Sequence, residues 1–219
     1  MSDFFHTNPL FTRYAHGEVG RFTSKRGYDI VDQAGRRLAH AHEDLGTGVG
    51  QRLWSEFAQH MTNSCRFVVD DAWQQRLLAL DENRGRRRTT ISVAGPVDQH
   101  LGAVTMSRLD GTARSYQLSD AYERQWGQII KHDPNQGRGV LGRLANRTAL
   151  EDRPYTATDH QGNEVARITD TKRRDTSRGY ETHVSDHVLQ LHYTQLPEPL
   201  STLLRAATVA LDFAEFHSS

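Results

Sequence analysis

With 219 residues and 36% hydrophobic side chains the chain has material for one sizeable core, and all-β barrels of about 200–250 residues commonly form one domain. Lysine plus arginine equals aspartate plus glutamate, 27 each, so no global field marks a nucleic-acid or acidic-substrate binder and any partner must be met by a local patch. Cys65 is the only cysteine, which excludes an intrachain disulfide and a Cys-rich zinc site and fits a cytoplasmic compartment.

The N-terminus, "MSDFFHTNPLFTRYAHGE", has no basic segment followed by an unbroken apolar run, so no signal peptide is read there. Its apolar residues suit a first strand of the sheet; left exposed, they would mark a protein-docking edge. A recurring phrase follows: "YDIVDQAGRRLAHA" (28–41), "FVVDDAWQQRLLAL" (67–80), "YQLSDAYERQWGQII" (116–130) and "YTATDHQGNEVARI" (155–168). Each runs from an aromatic residue through alternation, an Asp and a polar turn to a second alternating run, which is one hairpin written four times. Asp32, Asp70, Asp120 and Asp159 are read as turn residues whose carboxylates bond backbone amides, and the Gly of "DQAG" and "DHQG" tolerates a positive φ. Around the first turn Tyr28 and Ile30 share a face; in the last copy Val165 and Ile168 fall on opposite faces, which requires a bulge or a two-sided environment.

Between the first two copies "GQRLWSEFAQHM" (50–61) breaks the rhythm, and Leu53, Trp54, Phe57 and Met61 make the face of a short helix. "TTISVAGPVDQHLGAVTMS" (89–107) and "HVSDHVLQLHYTQL" (183–196) fit the hairpin pattern more loosely, and the Gly-rich "NQGRGVLGRLANRTALEDRP" reads as another strand with bulges. About ten to twelve strands result, and closing them into a barrel removes their edges. Side chains alone do not fill a large barrel.

The last segment supplies the filling. A membrane span needs ~20 mainly apolar residues, whereas Pro199 to Phe216 offers 18 and carries Arg205, Asp212 and Glu215. Each charge near a span's centre costs roughly 2.5–3.5 kcal/mol. Leu200, Leu203, Leu204, Ala207, Leu211 and Ala214 keep helical spacing while Val209, Ala210 and Phe213 occupy much of the rest, so the helix is apolar nearly all round and belongs inside the barrel. Pro197 and Pro199 suit its start, with Ser201 and Thr202 as local caps.

Asp-turn hairpins followed by "DHVLQLHYTQLPEPLSTLLRAATVALDFAEF" resemble the tubby C-terminal-like superfamily, in particular its LURP-one-related and phospholipid scramblase-like branch, over roughly residues 8–216. The resemblance implies a single domain, residues 1–219: a closed antiparallel β-barrel of about twelve strands (about 8–196) threaded by a hydrophobic C-terminal helix (about 199–216). It further implies a non-enzymatic binding module for anionic phospholipid or phosphoinositide headgroups at the inner membrane surface, or for a protein partner. A scramblase moving lipids between leaflets is the alternative, and a small-molecule-binding barrel or enzyme the third. Calcium-driven transport is disfavoured, because a calcium loop needs several oxygen donors and only Asp186 and Glu198 precede the helix. The cysteine-rich segment and proline-rich N-terminus of the scramblases are missing as well.

Lipid headgroups call for Arg and Lys clusters. The chain offers "RGRRR", with Arg84, Arg86, Arg87 and Arg88, and "KRRDTSR", with Lys172, Arg173, Arg174 and Arg178. The candidate lipid-binding residues are Arg86, Arg87, Arg88, Lys172, Arg173 and Arg174; as ordinary solvated segments they would be offset by Asp81, Glu82 and Asp175. Nucleic acid is disfavoured for lack of a reading motif or interleaved aromatics. No catalytic, metal or cofactor site is read. His40 and His42 share a strand face without a third ligand, His187 and His192 fall on opposite faces, and neither a G-x-S-x-G elbow nor a P-loop is present.

Overall fold

A computed structural model describes residues 2–16, 26–44, 64–85, 88–108, 114–132, 153–175 and 182–216. Twelve strands run in chain order: β1 Leu10–His16, β2 Arg26–Val31, β3 Arg37–Glu43, β4 Ser64–Asp71, β5 Arg76–Arg84, β6 Arg88–Ala94, β7 His100–Arg108, β8 Arg114–Asp120, β9 Gln125–Lys131, β10 Arg153–Asp159, β11 Glu164–Asp175 and β12 Thr182–Leu191. An α-helix, α1, Leu200–Phe216, follows them, and a short 3-10 helix, Asp3–Phe5, precedes β1. Every strand pairs antiparallel with its neighbour in sequence, and β1 closes the barrel on β12 with Leu10 opposite Leu189 and Thr12 opposite His187. The helix expected over 50–61 lies outside the described residues.

Five hairpins are built on one plan, one more than the repeated phrase indicates. The turns span 32–36, 71–75, 95–99, 120–124 and 159–163; in each the first residue's N–H donates to the fifth residue's carbonyl and the fourth N–H donates back to the first. That closure puts the fourth residue at positive φ: Gly35 (79°), Gln74 (62°), Asp98 (58°), Glu123 (62°) and Gly162 (85°). The leading carboxylate locks the tip. Asp120 Oδ1 accepts from the N–H of Tyr122 (2.8 Å) and Arg124 (3.0 Å), and Asp159 Oδ1 does the same for Gln161 and Asn163 (both 2.9 Å).

In the second hairpin this carboxylate is Asp71, not Asp70: Asp71 Oδ1 accepts from Trp73 and Gln75 (both 2.9 Å). Asp71 stands four residues after the buried Phe67, as Asp32 does after Tyr28, whereas Asp70 is still within the ladder opposite Arg76. Gly95 replaces the Asp in the hairpin over 89–107 that fits the pattern more loosely, and Gln99 Oε1 reaches back to accept from Val97 N–H (3.1 Å). Just past each turn the returning strand carries one extra residue, Leu38, Leu77, Leu101, Trp126 or Val165, skipped where the register shifts. The bulge required by Val165 and Ile168 is therefore one of five, and all add local twist where the barrel wall must curve.

All five turns lie at one end of the barrel, the turn end. The other end, the connection end, holds the strand ends where β1 leads to β2, β3 to β4, β5 to β6, β7 to β8, β9 to β10 and β11 to β12. The helix enters from the turn end, with Leu200 packed near Gly127, and every residue from Leu200 to Leu211 is buried. Its first turn is held by Glu198, whose carboxylate accepts from Thr202 N–H (3.4 Å). Ser201 and Thr202, expected as caps, are themselves buried in the helix.

Arg205, only 3% exposed, donates from Nη2 to the Phe5 carbonyl (2.8 Å) and from Nη1 to that of Thr7 (3.2 Å). Burial pulls its guanidinium below the usual range, against the opposing field of Glu198. The segment it holds tucks Phe4 into the core, and Asn8 exchanges two 2.9 Å bonds with the Leu191 backbone at the end of β12. The N-terminal apolar residues are thus barrel residues rather than a free docking edge.

Candidate functional site

The barrel's chain order carries Arg84 and Arg88, the ends of one basic run, and Lys172–Arg174 on the last part of β11 to the connection end. The β5–β6 and β11–β12 pairs stand on opposite sides of the mouth, six strands apart in a ring of twelve. Arg84 is committed: its guanidinium grips the buried Glu82 through two bonds (2.7 and 2.8 Å). Arg88 is exposed at the start of β6, whereas Arg86 and Arg87 lie outside the described residues. Lys172, Arg173 and Arg174 have backbone partners Ser185, Val184 and His183 on β12.

Behind this mouth the lumen changes character. On strands whose deeper inward positions are apolar, the inward residues toward this end include Glu43, Glu82, Lys131, Asp170 and His187, all buried. Glu43 accepts from the Cys65 thiol (3.1 Å), and the Lys131 ammonium sits over the Tyr155 ring (5.2 Å). Asp170 and His187 are cross-strand neighbours, 0% and 2% exposed, and among the described residues none of their side-chain oxygens or nitrogens has a hydrogen-bond partner. Beside them Thr12 donates to Thr208 (2.8 Å), which donates to the Arg205 carbonyl (2.9 Å). Strand parity could have found this pair: Ala166, Ile168 and Asp170 share one face, as do His187, Leu189 and Leu191.

A buried carboxylate without a partner costs stability. Asp170→Val, which puts an apolar, β-branched side chain of similar size on the strand, is expected to stabilise the fold by about 1–3 kcal/mol. A higher midpoint in urea is the expected reading; a lower one would mean that the carboxylate has a ligand in solution.

The turn end is different. Trp73 (77% exposed), Val97 (82%), Tyr122 (81%) and Tyr193 (52%) are all there, the first three at the same position of successive turns. Next to Tyr122 the Arg124 guanidinium stacks on its ring (5.4 Å) and bonds Asp120 Oδ2 (2.7 Å), which also accepts from the Trp126 indole (3.0 Å). A pocket of about 210 Å³ opens beside Trp126, bounded by His160, Tyr193, Leu196, Pro197 and Leu200. The repeated phrase pointed to these turns as structure; the identity of their tip residues was the unread signal.

Asp120 has the strongest electrostatic signature. Burial alone would raise its carboxyl, but the Trp126 indole, the Arg124 and Tyr122 amides and the Arg124 guanidinium outweigh that and bring it down to about 2. A folded-state value below the unfolded one near about 3.9 gives stability that is present above that pH and lost as pH falls toward about 2. Asp32 and Asp159 are lowered too and act with the same sign. Asp120→Asn is therefore expected to flatten the fall in thermal midpoint between about pH 4 and pH 2, and an unchanged acid limb would count against this assignment.

Among the histidines, His40 and His42 stack on the outer wall (5.8 Å) and each meets a carboxylate, Asp29 at 3.0 Å and Asp70 at 3.8 Å. Among the described residues no group of three or more His, Cys, Asp or Glu is arranged to hold a metal ion. No family model matches the chain, nor does any curated protein or solved structure.

Proposed function

We propose that the chain is a non-enzymatic binding module of the tubby-like, LURP-one-related kind, which docks on anionic phospholipid headgroups through its connection end. One observation carries this reading: closing the ring brings Arg84 and Arg88, which flank one basic run, and Lys172–Arg174, far away in sequence, to the same end of the barrel. Cations on opposite sides of one mouth can meet a charged surface together, and each basic residue near an anionic membrane adds about 1 kcal/mol. The tubby-like assignment is part of the same proposal, and the twelve-stranded barrel closed around its terminal helix supports it.

The competing readings fit the architecture less well. α1 lies inside the barrel, and among the described residues no helix is long and apolar enough to cross a membrane, so the scramblase reading lacks a spanning helix there. The lumen that a small-molecule barrel would use is occupied by Leu200–Leu211.

Sedimentation with liposomes tests the proposal. Binding is expected to vesicles containing phosphatidylserine or phosphoinositide, to weaken from low to physiological salt, and to disappear when Arg86, Arg87, Arg88, Lys172, Arg173 and Arg174 are all changed to Ala. Vesicles of phosphatidylcholine alone should leave the protein in the supernatant. Equal behaviour of charged and neutral vesicles at low salt would overturn it.

A further inference from the structure

The turn end presents a surface that the fold does not require. The backbone bonds that close the five-residue turns run between the first, fourth and fifth residues and set no requirement on the third side chain; Ala34 and Gln161 occupy that position as readily as Trp73, Val97 and Tyr122. Three large apolar side chains on successive hairpins, held in water by turns locked with carboxylates or a glutamine, lie outside the barrel core. Large exposed aromatics grouped at one end mark an interaction surface.

The charges around them select the partner. Arg124 is paired with Asp120 (2.7 Å), Arg76 with Asp98 (2.6 Å) and Arg36 with Asp32 (3.0 Å). These arginines are neutralised in place, which suits neither nucleic acid nor anionic lipid. Insertion into a bilayer would also dehydrate Asp98 and Glu123, the direct neighbours of Val97 and Tyr122. The pocket beside Trp126 adds a size criterion. At about 210 Å³ it falls below the roughly 300–1,000 Å³ of small-molecule sites, yet it has the scale of one apolar side chain, and its lining of Trp126, His160, Tyr193 and Pro197 is of the type that grips peptide anchors.

We propose that the turn end docks a protein partner, which inserts one uncharged apolar side chain, aromatic or proline, into the pocket beside Tyr193 and lays its flanking residues over Tyr122 and Val97. This surface is distinct from the basic mouth, so the protein bridges a membrane surface at one end and a polypeptide at the other.

The test pans a displayed library of random twelve-residue peptides on the full chain, then titrates synthetic copies of the enriched peptides while following the Trp126 indole N–H by NMR. Enriched peptides should share an aromatic or proline anchor, shift that signal saturably, and bind at least tenfold more weakly to Tyr193→Ala and His160→Ala, both changes at the pocket wall. The variant with all six basic residues replaced should bind these peptides like the parent, which separates this proposal from the lipid reading. Failure to enrich any peptide, or peptides indifferent to both wall variants, would overturn it. So would salt-insensitive binding to phosphatidylcholine vesicles that Trp73→Ala abolishes, since the tips would then be membrane anchors.

Discussion

Removing residues 200–216 is expected to leave a chain with no cooperative unfolding transition. Leu200, Leu203, Leu204, Val209 and Leu211 are each at most 1% exposed, and burying such a side chain contributes about 1.5–3 kcal/mol. The five together amount to about 8–15 kcal/mol, the whole stability of an ordinary domain. The strands would also lose the surface that Leu80, Ile91, Val104 and Leu118 pack on, leaving an apolar lumen open to water. Circular dichroism against urea checks this, with Leu204→Ala as the graded form, expected to cost about 2–5 kcal/mol. A truncated chain that still unfolds sharply would show that the barrel does not need its helix.

Arg205→Met is expected to cost on the order of 2–4 kcal/mol. Methionine replaces the aliphatic stem but not the two bonds to the Phe5 and Thr7 carbonyls. Bonds from a charged donor contribute about 1.5–3 kcal/mol each, and relief from burying the guanidinium returns part of that sum. Location is the sharper signature. Amide exchange should accelerate at Phe5, His6 and Thr7, whose N–H groups donate to the carbonyls of Ser2 and Asp3, while the amides of β6 and β7 keep their protection. Uniform acceleration across the barrel would mean that Arg205 supports the core rather than the N-terminal segment.

The architecture was legible because its rule is local and repeated. An aromatic residue, an Asp four positions on and a returning alternation are enough to write a hairpin, and a helix apolar on nearly every side has few places to go except a lumen. What escaped the reading depended on distance along the chain. Gly95 begins a turn without a carboxylate, so only the Gln99 side chain reaching back reveals the equivalence. Arg205 looked like an argument against a membrane span; its partners, some 200 residues earlier, could not be named before the N-terminus was placed. The basic runs were visible as composition, yet their sharing one end follows only from strand direction, and the pairing of Arg84 with Glu82 follows only from parity on β5. Tip residues carry no pattern of their own, which is why Trp73, Val97 and Tyr122 passed as turn filler.

The order of the elements also bears on how the protein is made. Strands emerge from the ribosome one hairpin at a time, each able to form its turn at once, but the seam between β1 and β12 joins residues as distant as Leu10 and Leu189, and the helix that fills the lumen follows the last strand. Until that helix is synthesised, the growing sheet carries an apolar inner face and two unpaired edges, the state most open to wrong pairing with another chain. The element that makes the rest safe is therefore made after all twelve strands, and a nascent chain stalled before residue 200 should be a preferred client of chaperones that hold exposed β-edges.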